Sequence, residues 1–113
     1  MKCPSEIFGE VVVVHTPEEL GDDQAEAFEA LLTQLDRLNV VIDLDSTELI
    51  DSRGLTSLLN ARDALSELGG DVKVATSNHC NRKILEITRL DQQLEVFESI
   101  TDAVKSFDHF VSE

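Results

Sequence analysis

Leu49-Ile50-Asp51-Ser52-Arg53-Gly54-Leu55 stands between an apolar strand and an amphipathic helix. Ahead of it, Asn39-Val40-Val41-Ile42-Asp43-Leu44 reads as a buried strand; behind it, leucines at 55, 58, 59, 65 and 68 recur at helical rather than strand spacing. The spacing puts Ser52 at the helix entrance, close to the N-cap, where its hydroxyl would accept from an otherwise unpaired backbone N–H. A helix N-terminus carries partial positive charge, so the same position tolerates a phosphate. Serine caps helices throughout proteins, so position alone gives Ser52 no further role.

Working outward, the helix from Ser52 to about Leu68 stops at Gly69-Gly70, a left-handed C-terminal signal. Asp71–Thr76 then alternates as a strand, a third helix runs from about Asn78 to Thr88 with Ile84, Leu85 and Ile87 apolar, and Leu94–Phe97 is extended. Ser99 caps a last helix whose inner face is Ile100, Ala103, Val104 and Phe107. Towards the N-terminus, Cys3–Phe8 and Glu10–His15 form a hairpin about Gly9. Thr16-Pro17-Glu18-Glu19 has the form of a capping box with proline at the first helical position, which predicts a helical turn there, interrupted by Gly21. A helix from about Asp22 to Asp36 carries Ala25, Phe28, Leu31, Leu32 and Leu35 on one stripe. Strands alternating with helices predict an α/β fold: a mixed sheet of four to five strands, parallel apart from the N-terminal hairpin, with about four helices packed on it.

The 113 residues correspond to one domain, long enough to bury a core without disulfides or metal. Cys3 and Cys80 form no framework, which suits a reducing, cytoplasmic compartment. Nine Lys and Arg against 23 Asp and Glu give a net charge of −14, which disfavours nucleic acid and anionic membrane surfaces. Much of that acidity serves solubility, but a docking partner is expected to present basic residues. No run approaches a membrane span, so no direct membrane insertion is expected.

Asp43-Leu44-Asp45-Ser46-Thr47 also matches the Asp-x-Asp-x-Thr signature of haloacid-dehalogenase-type phosphohydrolases, in which Asp43 would attack phosphorus and Asp45 act as acid/base with magnesium between them. The motif is short, and that fold needs a downstream lysine and an acidic pair on further strands, for which the strand count here runs out. A phospho-receiver domain with Asp43 as acceptor is disfavoured because Asp22-Asp23 opens a helix instead of following the first strand. His79 and Cys80 lack further ligands at metal spacing, and His15 and His109 have no evident catalytic partners. No enzyme activity, metal or cofactor is expected. Thr56 and Ser57 are less accessible hydroxyls inside the helix.

Taken together, Val-Ile-Asp-Leu ahead of Ile50-Asp51-Ser52-x-Gly54-Leu55, the Leu68-Gly69-Gly70 exit, Val72-Lys73-Val74-Ala75, Ile84-Leu85-Glu86-Ile87-Thr88-x-Leu90, Val96-Phe97 and Ala103-Val104 resemble the STAS domain family, which includes anti-sigma-factor antagonists. The resemblance runs from about Glu10 to Phe107. It implies that Ser52 is a phosphorylation site, that an anti-sigma factor with serine-kinase activity modifies it, and that a serine phosphatase reverses the mark. Only the unmodified form would capture the anti-sigma factor. A soluble regulatory subunit of a membrane transport ATPase is the alternative within the same fold. Asp51, Arg53 and Gly54, with the acidic residues Glu18, Glu19, Asp22 and Asp23, are the expected partner contacts, and Asp45 and Glu48 are expected beside the phosphate. A monomer or weak dimer is the expected state. Arg53 departs from the small residue usual after the serine, and its guanidinium is free to pair with phosphate, with Asp51 or with a partner carboxylate. Arg89 stands where a glycine commonly ends the third helix.

Overall fold

The structure, a computed structural model, describes residues 3–35 and 38–107. Its apolar runs become the strands of one mixed five-stranded sheet: β1 (Ser5–Phe8), β2 (Val11–His15), β4 (Asn39–Asp43), β6 (Asp71–Ala75) and β7 (Glu95–Phe97), in that spatial order. β1 runs antiparallel to β2, while β2, β4, β6 and β7 are mutually parallel. Val11 through Val14 are all buried because both faces of this sheet are covered, which explains a continuous valine run in place of an alternating one.

One face packs Val12, Val14, Val40, Ile42, Val72 and Val74 against α1 (Asp22–Thr33), α2 (Ser52–Glu67) and α3 (His79–Ile87), through Phe28, Leu32, Leu58, Leu65 and Leu85. The other face carries Val11, Val13, Val41 and Ala75 under Ala103 of α4 (Ile100–Lys105), with Ile100, Val104 and Phe107 partly buried around it. Lys73 is drawn into this second layer, its ammonium 4.2 Å from the centre of the Phe107 ring and 3.2 Å from Glu95. The four helices, five-stranded sheet and N-terminal hairpin match the architecture expected from the sequence.

The largest departure is at residues 16–20. In place of a helical turn, Glu19–Leu20 forms a two-residue strand, β3, parallel to β5 (Leu49–Ile50). The Glu18 carbonyl accepts from the N–H groups of Glu48 and Leu49, and the Pro17 carbonyl accepts from the Thr47 hydroxyl. The Thr16 hydroxyl, which a capping box would aim at the next turn, donates to the Asp43 carbonyl instead. Partners from a distant segment outcompete the local cap. α1 therefore starts at Asp22, with Gly21 as its N-cap and Gln24 accepting from the Gly21 N–H. It ends at Thr33, short of the expected Asp36, which lies outside the described residues, as does His109. Ile87 is exposed, not part of the apolar face of α3. Arg89 adopts φ 65°, the left-handed conformation that glycine takes most readily.

Candidate functional site

Four short segments meet where β3 and β5 turn into α1 and α2. Asp51, not Ser52, is the N-cap of α2: its Oδ1 accepts from the Gly54 N–H at 2.9 Å. Its Oδ2 accepts at 3.2 Å from the N–H of Asp22, the first residue of α1. One carboxylate thus satisfies donors at the starts of two helices, and the Gly54 N–H first, with those of Asp22 and Arg53, holds its carboxyl below the usual carboxylate range. Aspartate and serine are both good caps. Asp51 wins because β5 ends on it and its carboxylate can reach both helices at once. Ser52 becomes the first helical residue and is exposed.

Replacing Asp51 with alanine removes both cap bonds, and each cap is worth roughly 0.5–2 kcal/mol. Asp51→Ala is expected to lower the midpoint of denaturant titration clearly, and Ser52→Ala to leave it nearly unchanged, because Ser52 is not the cap.

Two glycines let the segments interlock. Gly54 is buried, and a Cβ there would overlap the backbone carbonyl of Leu20 in β3. A Cβ on Gly21 would lie 2.8 Å from Asp51 Oδ2. The close approach that Gly54 permits is therefore already filled from within the domain.

Around this clasp the expected acidic contacts gather on one side. Glu19, Asp22, Asp23 and Asp51 line an open hollow of about 310 Å³, and Glu18 and Glu48 border Glu19 next to it. On the other side of Ser52 lies a more apolar hollow formed by Leu55, Leu59 and Leu90. Asp45 does not join the acidic group, because its carboxylate accepts from the Thr76 hydroxyl and from the N–H and hydroxyl of Ser77. Arg53 is not free either. Its Nη1 donates to Glu29 Oε2 at 2.9 Å, and Asn60 Nδ2 donates to the same oxygen at 3.1 Å. Thr56 is exposed but bonded back to the Ser52 carbonyl, and Ser57 is buried and bonded to the Gly54 carbonyl.

The two carboxylates of the phosphohydrolase reading do not converge. Asp43 is buried and accepts from the Asp45 N–H, and its Oδ2 lies 2.7 Å from His15 Nδ1. The other nitrogen of His15 lies 3.1 Å from Glu6. His15 therefore ties β1 to β4 across β2, a partnership that sequence spacing does not reveal, since the three residues lie on separate strands. Burial alone would lower the His15 pKa; the hydrogen bonds to Asp43 and Glu6 outweigh it and raise the pKa above 6.5.

With the folded pKa above the unfolded one, this contribution to stability is complete below about pH 6.5 and is lost as pH rises through the folded pKa. The wild-type melting temperature should fall more steeply than that of His15→Gln between about pH 6 and pH 9. Parallel curves for the two proteins would show that the imidazolium contributes nothing.

A family model described as the STAS domain matches residues 3–103. A protein of Thermotoga neapolitana, provisionally named an anti-sigma factor antagonist, is 26% identical over 107 residues, covering 90% of this chain and 94% of the relative. Among solved structures, an anti-sigma factor antagonist from Mycobacterium paratuberculosis superposes with a TM-score of 0.81 at 24% identity, over 93% of this chain and 92% of the other. The anti-sigma factor antagonist SpoIIAA in its unphosphorylated form superposes at 0.75 with 17% identity, over 96% and 97% of the two chains. SpoIIAA from Bacillus has also been solved in a phosphorylated form, which superposes at 0.68 with 17% identity over 94% of this chain and 99% of the other.

Proposed function

The chain belongs to the STAS domain family, and from that membership we propose that it is an anti-sigma-factor antagonist switched at Ser52. In this reading the unmodified protein captures an anti-sigma factor that is also a serine kinase. Phosphorylation of Ser52 by that partner releases it, and a serine phosphatase restores binding. The observation that carries the reading is the exposed hydroxyl of Ser52 on the first turn of α2, with the cap role taken by Asp51. Among the described residues none is hydrogen-bonded to that hydroxyl, which leaves it open to modification.

The surroundings give the switch its sign. A phosphoryl group adds about −1.5 to −2 charge. At Ser52 it would stand beside Asp51 and close to the acidic hollow of Glu19, Asp22 and Asp23, while the Gly54 N–H at the start of α2 is already engaged by Asp51. The added charge therefore acts on whatever docks there more than on the fold. Among the described residues no helix is long and apolar enough to cross a membrane.

Immobilised Ser52→Ala protein, exposed to an extract of its native cells, should retain a kinase of the ATPase fold, and Ser52→Asp protein should not. Recovery of a transport ATPase by both forms would replace this reading with the transporter-subunit one.

A further inference from the structure

Between Thr16 and Ala61 only two basic residues occur, Arg37 and Arg53, and Arg53 directly follows Ser52. Its guanidinium is held across the α1–α2 contact by Glu29, in a pair whose side chains are 36% and 24% exposed. Asp22 and Glu26 of α1 add their charges to that of Glu29 around it. Asn60, two turns further along the same face of α2, donates to the Glu29 oxygen that Arg53 uses.

We propose that Arg53 is a two-position arginine: parked on Glu29 while Ser52 is unmodified, and drawn onto the phosphate when Ser52 carries one. The proposal rests on phosphorylation at Ser52 and adds to it a second, physically separate output. A phosphate at Ser52 needs a counter-cation. Asp51 already occupies the Gly54 N–H at the start of α2, and the residues lining the hollows on either side of Ser52 include no lysine or arginine.

A phosphate outbids a carboxylate for a guanidinium because it carries more charge and offers three acceptor oxygens to a fork of donors. The competing pair is weak enough to break, since ion pairs this open to solvent are worth little. Neighbouring side chains on a helix diverge, which is why Arg53 reaches α1 when Ser52 has no charge to offer. Its four-atom stem gives it the length to swing back. Asn60 makes the exchange inexpensive: once Arg53 leaves, Glu29 keeps a hydrogen bond.

The consequence is that a mark on α2 is displayed on α1. Glu29 loses its counter-cation and its negative charge is left uncompensated, so a partner that covers this face meets a change at Glu29 as well as at Ser52. Arg53 and Glu29 are in this sense positioning residues, distinct from the modified hydroxyl.

The test uses full-length protein with phosphoserine installed at position 52 during synthesis, followed by carbon NMR of the Glu29 carboxyl and phosphorus NMR of the phosphate. Phosphorylation should shift the Glu29 carboxyl signal in the wild type and leave it unmoved in Arg53→Gln. The second ionisation midpoint of the phosphate should be lower in the wild type than in Arg53→Gln by several tenths of a pH unit. It should be lower again in Glu29→Gln, where no carboxylate competes, and that second decrease should vanish in the Arg53→Gln background. A Glu29 signal that ignores phosphorylation, or equal midpoints with and without Arg53, would overturn the proposal. Because the phosphate is installed, finding Ser52 unmodified in cells would remove the switch under Proposed function and leave this exchange standing.

Discussion

Phosphoserine or aspartate at position 52 should weaken binding to the cognate anti-sigma factor by roughly 30-fold to a few thousand-fold, while Ser52→Ala binds as tightly as the unmodified protein. The range follows from burying an unpaired charge in an interface, which costs about 2 to 5 kcal/mol. Three features favour a large effect. Ser52 lines the apolar hollow and directly follows Asp51, which lines the acidic one, so a partner covering both meets the hydroxyl. The Gly54 N–H that could absorb a new anion is already bonded to Asp51. Arg53, the adjacent cation, starts in a pair with Glu29 and offsets only part of the phosphate charge. Equal dissociation constants for Ser52→Ala and phospho-Ser52 protein, measured by titration calorimetry, would show that the site is not a switch.

Gly54→Ala should be the most damaging single methyl group that can be added at the site. Its Cβ would overlap the Leu20 carbonyl, a backbone atom that cannot rotate aside, so β3 would have to move. Leu20 is itself fully buried and continues into Gly21, the cap of α1, so the displacement would spread to both helix starts. Overpacking against side chains typically costs about 1 to 3 kcal/mol, and a clash with backbone belongs at or above the upper end. For a domain of this size, a loss of about 3 kcal/mol lowers the melting temperature by more than roughly 10 °C. Gly70, where a Cβ would overlap the Leu38 carbonyl, should respond similarly, whereas a Cβ on Gly9 would meet no neighbour and its cost would come from the positive φ of 63° alone. A Gly54→Ala protein melting within a few degrees of wild type would show that the β3–β5 clasp is not tightly packed.

The sheet and helices were legible because their signals are local and repeated. Valine runs bounded by turn residues, leucines at helical spacing and the Gly69-Gly70 stop each point to one structure, and neighbouring elements agree. The grouping of Glu18, Glu19, Asp22 and Asp23 was legible too, as charge along a continuous stretch. Hidden from the sequence was every feature decided by a partner remote in the chain. Thr16-Pro17-Glu18-Glu19 has a valid helix-start pattern, yet Glu48 and Leu49 supply N–H donors that make a short strand the better solution. Asp51 and Ser52 are comparable caps by propensity, and only the Asp22 N–H, 29 positions away, favours Asp51. Glu29 lies 24 residues from Arg53, and Asp43 28 residues from His15, where no spacing rule reaches.

Those corrections change how the site works. Gly54 serves the fold, locking β3 against α2, and Asp51 serves two helices, leaving the exposed Ser52 outside both of those structural roles. Arg53, from which the sequence suggested a free guanidinium, is committed to α1 until something more strongly charged appears beside it.

Phosphopeptide mapping of the protein recovered from its native cells, across growth and stress conditions, tests the central claim most directly. The account predicts phosphate on the peptide containing Ser52 under at least one condition, with Thr56 and Ser57 unmodified. A Ser52 that carries no phosphate under any condition would contradict it.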